Sequence, residues 1–284
     1  MVFDFLKNKS SNYVKGNGKV VSLLNQKGGV GKTTMAFNLA HALASAGHRV
    51  LCIDMDPQGN LGLLFGVEDE ENHILQLLLN SVRELKALHT PIALDEVLKE
   101  TSSPKIDFLP AGQDLSGFEL SVAGISGPRQ LIFKKFLEKN QLDSRYDYII
   151  VDGPPTLGLL VVNILCACDG VLVPFQPDQF SRKGLEHFHE IIEDIEDMGI
   201  TQTPKVLGYI PNLVEARRKQ VGSDFEKIKN ELGEDLVFDP FANRVQLVKS
   251  SAAKKSVFDF HASEYKELQA QFSKMVESIE NQLQ

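Results

Sequence analysis

A glycine-rich stretch between an apolar segment and a helical pattern constrains the fold of this chain most. Residues 25–34 read NQKGGVGKTT and follow apolar residues that end at Leu23 and Leu24. Glycines let the backbone approach a polyphosphate closely, and the helix that follows presents the positive end of its dipole to the anion. The stretch nearly matches the pattern G-x-x-x-x-G-K-[ST], with Gln26 in place of the first glycine. It predicts a strand, a phosphate-binding loop and a helix.

Two side chains of this stretch have roles that follow from phosphate chemistry. Lys32 is expected to neutralise the β- and γ-phosphates of a nucleotide, and the Thr33 hydroxyl is expected to ligate Mg²⁺. An alternative stays open, in which the glycines only close a tight corner between a strand and a helix.

A lysine early in the stretch favours the phosphate-binding interpretation. With Lys27 included, the run KGGVGKTT resembles the deviant Walker A motif of the ParA/MinD ATPases. In that family an early lysine reaches across a nucleotide-sandwich dimer to the phosphates of the other subunit, so one lysine is expected to be spare within the monomer. The resemblance implies catalytic roles for Lys27 and Lys32. It implies nucleotide contacts from Lys27, Gly28, Gly29, Val30, Gly31, Lys32, Thr33 and Thr34.

Composition limits the classes of protein to which the chain can belong. Its 284 residues are 43% hydrophobic and 24% charged, as in ordinary globular proteins, and no apolar run approaches the roughly 20 residues that span a bilayer. We expect one α/β domain over residues 18–284, preceded by a flexible arm over residues 1–17. The first six residues are too few and too acidic for a secretory signal, which predicts a cytoplasmic protein.

Cysteine content and net charge narrow the possibilities further. Cys52, Cys166 and Cys168 are odd in number and lie in apolar segments, so they are predicted to be reduced core residues without a disulfide or metal role. The formal net charge of −8 argues against nucleic-acid binding over the whole surface. Any DNA contact must therefore come from a local basic patch.

A helix and a second strand follow the glycine-rich stretch. Apolar positions recur at three- and four-residue steps over residues 33–46, and Gly47 supplies a helix stop. The strand at 50–53 leads into Asp54 and Asp56, at the edge where open α/β sheets bind ligands. The run DMDPQGN resembles the Asp-x-Asp-Pro-Gln-x-Asn segment of ParA proteins. The resemblance implies that Asp56 positions the attacking water and that Asp54 supports the Mg²⁺ shell; the alternative is a polar turn in which Asp54 caps a helix.

The middle of the chain has fewer signals. Residues 61–105 show only short helical runs at 74–79 and 94–98, and we assign them no catalytic role. A strand at 106–110 and a helix at 128–139 are predicted next, the helix from its apolar stripe.

A second acidic strand end follows that helix. The apolar run over residues 146–151 ends in Asp152, the pattern of a Walker B strand, whose carboxylate can hold Mg²⁺ through water. Residues 156–160 resemble switch II of ParA, which senses the γ-phosphate. Without the phosphate loop upstream, a strand that ends in Asp is more often structural.

Candidate contacts to a nucleotide base lie nearer the C-terminus. Strands are predicted at 170–175 and 206–210, joined by a helix at 181–198 with a solvated acidic face. In SIMIBI ATPases, the class that includes ParA, an Asn after the later strand faces the base, which makes Asn212 a candidate adenine contact; the alternative is a turn residue. Residues 240–247 resemble faintly the PRNVRLSEAP stretch of the family, which adds Pro240 and Asn243.

Six basic residues form a candidate DNA patch. Three of them are predicted to open a short helix and three to lie in the loop before the last helix, which is predicted over residues 263–282. Their positions resemble the surface that ParA dimers use for nonspecific DNA; without that resemblance they are a solvated basic surface. The residues are Arg217, Arg218, Lys219, Lys249, Lys254 and Lys255.

These patterns together predict a doubly wound, mostly parallel sheet with helices on both faces and a nucleotide at its carboxyl edge. The resemblance to ParA/Soj partition ATPases covers about residues 19 to 275 and implies a P-loop NTPase of the SIMIBI class. It implies a Mg²⁺-dependent ATPase that forms a homodimer with ATP, binds DNA nonspecifically at the nucleoid, and is stimulated by a ParB-like protein. The cargo would be a plasmid or a chromosome.

Rival functions use the same fold. One is a MinD-like positioning protein on a membrane, against which the acidic, polar end of the chain argues, because MinD-type proteins end in a basic amphipathic helix. Another is a ParA-like ATPase that positions a different cargo. A cluster-binding protein like the nitrogenase iron protein is rejected, because Cys166 and Cys168 are too close together in an apolar segment.

Overall fold

The sheet at the centre of the molecule confirms the predicted fold class. A computed structural model describes residues 16–67, 71–85, 90–178, 181–213, 219–242 and 245–284, and for residues 219–224 the backbone alone. The strands are β1 (Lys19–Leu23), β2 (Val50–Asp54), β3 (Lys99–Glu100), β4 (Ile106–Leu109), β5 (Tyr148–Asp152), β6 (Gly170–Phe175) and β7 (Lys205–Pro211). Their order across the sheet is β3-β4-β2-β5-β1-β6-β7. Every neighbouring pair is parallel except the short edge pair of β3 and β4.

Twelve α-helices in the described part of the chain connect or cover these strands. They are α1 (Lys32–Ala46), α2 (Asn60–Phe65), α3 (Ile74–Ser81), α4 (Leu94–Val97), α5 (Phe118–Ser121), α6 (Ile132–Lys139), α7 (Leu142–Arg145), α8 (Leu159–Ala167), α9 (Ser181–Met198), α10 (Lys219–Leu232), α11 (Val245–Ala252) and α12 (Lys266–Leu283). Parallel strands need crossover connections, and the helices supply them.

Two apolar layers cover the two faces of the sheet. One layer packs residues of α3, α6, α8 and α9 against the strands, with Phe133 and Phe188 among them. The other packs α1 and α12, with Leu39 and Phe272 in its centre. All residues of β2, β5 and β6 are buried, which explains their nearly continuous apolar sequences.

Several boundaries differ from the predicted ones. Pro128 is extended, with ψ 103, so the predicted helix at 128–139 begins instead with a 3₁₀ turn at Arg129–Leu131 and continues as α6. The closing helix likewise begins with a 3₁₀ turn, at Ser263–Tyr265. The short helix predicted to begin near Lys219 is α10, and it is longer than predicted, with 14 residues. Lys249 was predicted to lie in a loop but lies on α11, because Leu247 and Ser250 anchor that helix in the interior.

Of the arm predicted over residues 1–17, the structure describes only the last two residues. Residues 1–15 lie outside the described residues. The backbone N–H of Gly16 donates to Oδ2 of Asp143 at 2.8 Å, and Gly18 donates to the Asp143 carbonyl at 2.8 Å. The chain is therefore tied to the amino edge of the sheet from residue 16 onward.

The cysteines confirm their predicted state: all three are free and buried. Within the described ranges, no helix is both long enough and apolar enough to cross a lipid bilayer.

Candidate nucleotide-binding site

Three strand ends meet at one point on the carboxyl edge of the sheet. β5 lies between β1 and β2, and its register aligns Asp152 with Leu23 on one side and with Asp54 on the other. The glycine-rich loop that follows β1 therefore lies next to two carboxylates that are distant from it in the sequence.

The loop has the backbone geometry that an anion site requires. Gly29 and Gly31 have φ values of 74 and 90, in the left-handed region that favours glycine. Gly31 is the N-cap of α1 and has no side chain to accept from the first N–H groups, and the first turn of α1 contains no acidic residue. These N–H groups are available to a phosphate.

Asn212, which directly follows β7, supports the loop. Its side-chain amide donates to the carbonyl of Val30 at 2.8 Å, and only 3% of the residue is exposed. A Cβ at Gly31 would lie 2.2 Å from Nδ2 of Asn212, so only glycine permits this approach. Oδ1 of Asn212 is buried and has no hydrogen-bond partner among the described residues.

Lys32 is the cation of the site. It is 6% exposed, and its Nζ lies 3.5 Å from the carbonyl oxygen of Lys27. Burial lowers the pKa of Lys32, while Asp152 and Asp56 act in the opposite direction. Two carboxylates therefore hold the charge of this lysine in the interior.

The two aspartates after β2 have different surroundings. Asp54 is fully buried, and its Oδ1 and Oδ2 accept the backbone N–H groups of Asp56 at 3.0 Å and of Leu61 at 3.1 Å. This is the helix-capping contact of the alternative interpretation, because Leu61 lies in the first turn of α2. Asp56 is 7% exposed, faces the cavity of the site, and accepts from the N–H of Gln58 at 3.0 Å.

Asp152 is fully buried without a hydrogen-bond partner for either carboxylate oxygen among the described residues. Burial raises its pKa to about 7, although the nearby Thr33 hydroxyl and the Lys32 ammonium group lower it. A buried carboxylate beside a hydroxyl fits a hard divalent cation. No cluster of three or more His, Cys, Asp or Glu able to hold a metal occurs in the described ranges.

Two adjoining cavities open at the loop. One of about 630 Å³ is lined by the glycine-rich loop, Asp56, and the end of α11 with its following turn. The other, of about 300 Å³, is lined by Gly29, Asn212, Leu247 and Val248 among others. The first cavity, beside the loop, Lys32 and Asp56, has groups suited to phosphates, and the second, beside Leu247 and Val248, has side chains suited to a base.

Comparisons with known proteins agree with this geometry. The family described as AAA domain matches residues 18–204. A chromosome partitioning protein ParA from Myxococcus xanthus is 36% identical over 214 residues, which are 75% of this chain and 71% of that protein. The chain belongs to the ParA family of P-loop ATPases.

Solved structures of similar fold extend the comparison. Apo McdA from Cyanothece has a TM-score of 0.77 at 25% identity and covers 92% of this chain and 99% of its own. Cobyrinic acid a,c-diamide synthase from Mycobacterium smegmatis, with bound ADP and magnesium, has a TM-score of 0.69 at 30% identity, with 84% of this chain and 91% of that chain covered.

The lysine that marks ParA family members has a partner inside the subunit. Nζ of Lys27 forms an ion pair and hydrogen bond with Oδ2 of Asp178, and both side chains are about one third exposed, at 36% and 33%. The loop after β6 brings this carboxylate to Lys27, and the predicted role of Lys27 at the phosphates of a second subunit stays a prediction.

Of the three residues predicted to contact a nucleotide base, the structure places one, Asn212, at the second cavity. Asn212 lines the apolar cavity, but Pro240 does not line either cavity of the site. Its carbonyl instead accepts from the side chain of Gln271 on α12 at 3.2 Å, because the segment turns toward that helix. A base contact by Pro240 therefore stays a prediction, and Asn243 lies outside the described residues.

The predicted DNA patch is divided. Arg217 and Arg218 lie outside the described residues, and of Lys219 only the backbone at the start of α10 is described. Lys249 and Lys255 are exposed on and after α11. Lys254 has a left-handed backbone, with φ 52, and lines the phosphate cavity. Lys254 therefore faces the candidate nucleotide site, whereas Lys249 and Lys255 do not line that cavity.

Two acidic residues near the site were missed by the sequence analysis. Asp178 binds Lys27, and its position just after a strand end was a signal that could have identified it. Glu119 accepts the N–H of Leu159 at 2.5 Å. No spacing in the sequence connects those two residues.

Proposed function

We propose that this chain hydrolyses ATP to ADP and phosphate with Mg²⁺, dimerises around two ATP molecules, and binds DNA without sequence preference as that dimer. A ParB-like partner would stimulate hydrolysis and release the DNA, and the cargo would be a plasmid or a chromosome. The observation that carries the ATPase is the unpartnered buried carboxylate of Asp152 beside Thr33 and Lys32. The name of the Myxococcus relative supports partition.

Different groups of the site would bind different parts of the nucleotide and its Mg²⁺ ion. Backbone N–H groups of residues 28–34 would bind the phosphates, and Lys32 would neutralise them. Thr33 and Asp152 would hold Mg²⁺, with Asp54 behind them, and the ion when bound would offset negative charge on the β- and γ-phosphates. The bound ion would then add to the positive charge that Lys32 already places near the buried Asp152.

Asp56 is the residue placed to act on water. The bond from Gln58 to Oδ1 fixes the orientation of its carboxylate, and the residue faces the phosphate cavity. A carboxylate held there can orient a water molecule for in-line attack and accept its proton. Asp54 is not suited to this role, because backbone N–H groups already occupy both of its oxygens.

Dimerisation would bring Lys27 to the phosphates of the second subunit. The ion pair with Asp178 must open for that reach, and a pair exposed by about one third is worth at most roughly 1 kcal/mol. We expect Lys27→Ala to keep a folded monomer and to lose the dimer that forms with a nonhydrolysable ATP analogue. Light scattering measures this, with the exposed Lys266→Ala as the matched control. An undiminished Lys27→Ala dimer would reject the cross-subunit role.

DNA binding should depend on ATP, because two copies of a small basic patch release more counterions than one. We expect binding to two unrelated duplexes only with ATP, weakening as salt rises, and lost in the triple variant Arg217→Glu, Lys249→Glu and Lys255→Glu. Lys254 is left unchanged because it lines the phosphate cavity.

A matched control reverses three exposed lysines elsewhere, Lys105, Lys135 and Lys266. Fluorescence anisotropy with and without ATP measures the affinities, and light scattering verifies that both triple variants still dimerise. Equal loss in both variants, or equal affinity without ATP, would contradict the proposed patch. Binding to anionic vesicles in place of DNA would favour the membrane rival.

A further inference from the structure

The helix after the Walker B strand lacks a cap from its own neighbours. α8 follows β5 through a short loop, and its N-cap is Gly158, which has no side chain to accept a hydrogen bond. The first turn of α8 contains no acidic residue. The first N–H groups of a helix need acceptors from elsewhere.

One acceptor comes from a distant part of the chain. Oε1 of Glu119 accepts the backbone N–H of Leu159, the first residue of α8, at 2.5 Å across a separation of 40 residues. A carboxylate at this end of a helix is favoured by the helix dipole as well as by the hydrogen bond.

The surroundings of Glu119 keep it at this position. Its neighbour Phe118 is 1% exposed and lies in the same apolar layer as Leu160 and Val161 of α8. A Cβ on Gly158 would lie 3.0 Å from Oε1 of Glu119, so a side chain at 158 would crowd the carboxylate. The contact thus joins α5 to α8 at a glycine.

Glu119 also borders the catalytic region. A cavity of about 390 Å³ opens between three segments: the turn that carries Asp56, the segment 115–119, and the loop that joins Asp152 to α8. Pro154, Pro155 and Gly158 of that loop line the cavity together with Glu119. A shift at the start of α8 would therefore reach the loop that faces Asp56.

We infer that Glu119 is a positioning residue for hydrolysis: its carboxylate holds the start of α8, and through it the loop after Asp152, in the arrangement in which Asp56 acts. The inference rests on the proposed ATPase function. Glu119 contacts neither the nucleotide nor the attacking water in this scheme, so its loss should lower turnover more than nucleotide affinity.

The test compares Glu119→Ala and Glu119→Gln with Glu96→Ala. Glu96 is a matched control, because its carboxylate also accepts a backbone N–H, that of Ala93 at 2.8 Å, at the start of the remote helix α4. We expect Glu119→Ala to lower kcat for ATP roughly three- to thirtyfold, the range for losing a helix cap, with KM nearly unchanged. Glu119→Gln keeps an acceptor oxygen and should restore most of the turnover. Glu96→Ala should behave as the unchanged protein.

Hydrogen exchange separates this inference from the proposed function. Glu119→Ala should speed amide exchange at residues 159–161 while exchange in β5 stays as in the unchanged protein. A kcat within twofold of the unchanged protein, a parallel change in KM, or unaltered exchange at 159–161 would each overturn the inference. An unchanged protein without Mg²⁺-dependent hydrolysis would instead reject the proposed function, and exchange would still decide whether Glu119 holds α8.

Discussion

Asp54 and Asp152 end two neighbouring strands, β2 and β5, and the register pairs them directly. Both side chains are fully buried. Around Asp54 the turn after β2 folds back, so that two backbone N–H groups donate to its two oxygens. The loop after Asp152 leads from β5 to α8 without folding back over the carboxylate. No donor in the described ranges forms a hydrogen bond with either oxygen of Asp152.

The difference separates a carboxylate whose oxygens are used by the fold from one whose oxygens are open to a ligand. An acceptor with two hydrogen bonds stabilises its turn, whereas the burial of Asp152 is offset only by the Lys32 charge and the nearby Thr33 hydroxyl. Burial and the neighbouring Asp152 raise the pKa of Asp54, while the backbone N–H groups oppose that shift. Two residues at equivalent strand ends should therefore respond differently to substitution, pH and Mg²⁺.

The largest expected effect concerns Asp56, the second aspartate of the turn after β2. Asp56→Ala should lower ATP turnover by roughly 10²–10⁴-fold, as expected for the loss of a general base or water-orienting group. Nucleotide binding should persist, because the loop and Lys32 are unchanged. A steady-state phosphate-release assay measures turnover, and Asp239→Ala, an exposed aspartate on a distant segment, is the control. Turnover close to normal would remove Asp56 from the mechanism.

Removal of Asp54 should destabilise the fold. Asp54→Ala leaves the N–H groups of Asp56 and Leu61 buried without acceptors, at a cost of about 1–3 kcal/mol each. Denaturant unfolding without Mg²⁺ measures the free energy of unfolding. Asp54→Asn keeps one acceptor oxygen and should fall between Ala and the unchanged protein. A stability of Asp54→Ala equal to that of the unchanged protein would show that the two bonds do not hold the turn.

Removal of the charge on Asp152 should have the opposite consequence for stability. Asp152→Asn should unfold at the same denaturant concentration as the unchanged protein or a higher one when Mg²⁺ is absent. The same variant should bind Mg²⁺ about 10- to 100-fold more weakly in the presence of ATP, as when a metal-orienting group is lost. Mg²⁺ titrations of hydrolysis measure this. Strong destabilisation together with normal Mg²⁺ dependence would assign Asp152 a structural role like that of Asp54.

The smallest expected effect is the pH dependence of the free energy of unfolding that the Asp152 carboxyl group causes. Its pKa is raised to about 7 in the folded protein, so between its unfolded pKa and pH 7 the folded state binds the extra proton. The free energy of unfolding without Mg²⁺ should therefore fall as pH rises across that range, by about 1 kcal/mol between roughly pH 6 and pH 7, and should level off above pH 7. The contribution of Asp152 is the difference between two curves of unfolding free energy against pH, that of the unchanged protein and that of Asp152→Asn. Saturating Mg²⁺ with a nucleotide should flatten it, and a difference curve independent of pH would contradict the raised pKa.

The sequence analysis was most successful where one short segment carries the information. The loop at 28–34 and the strand that ends in Asp152 are found at one edge, because the order of apolar runs and glycines predicts parallel strands with their carboxyl ends together. It did not anticipate that the carbonyl of Pro240 accepts a hydrogen bond from Gln271 on α12, a contact that depends on how the segment turns toward that helix. It missed Asp178 and Glu119, whose partners lie 151 and 40 residues away.

The sequence by itself determined the fold class, the family, and which residues are proposed to meet a phosphate, since these follow from local patterns of glycine, lysine and strand-ending aspartate. Tertiary structure decided how each of those residues is paired. Asp54 and Asp152 are equivalent in the sequence as acidic strand ends, but only the path of the chain after each strand sets which N–H groups reach the carboxylate. Hydrogen bonds act over about 3 Å, so a pattern along the chain does not contain the partners that folding brings together.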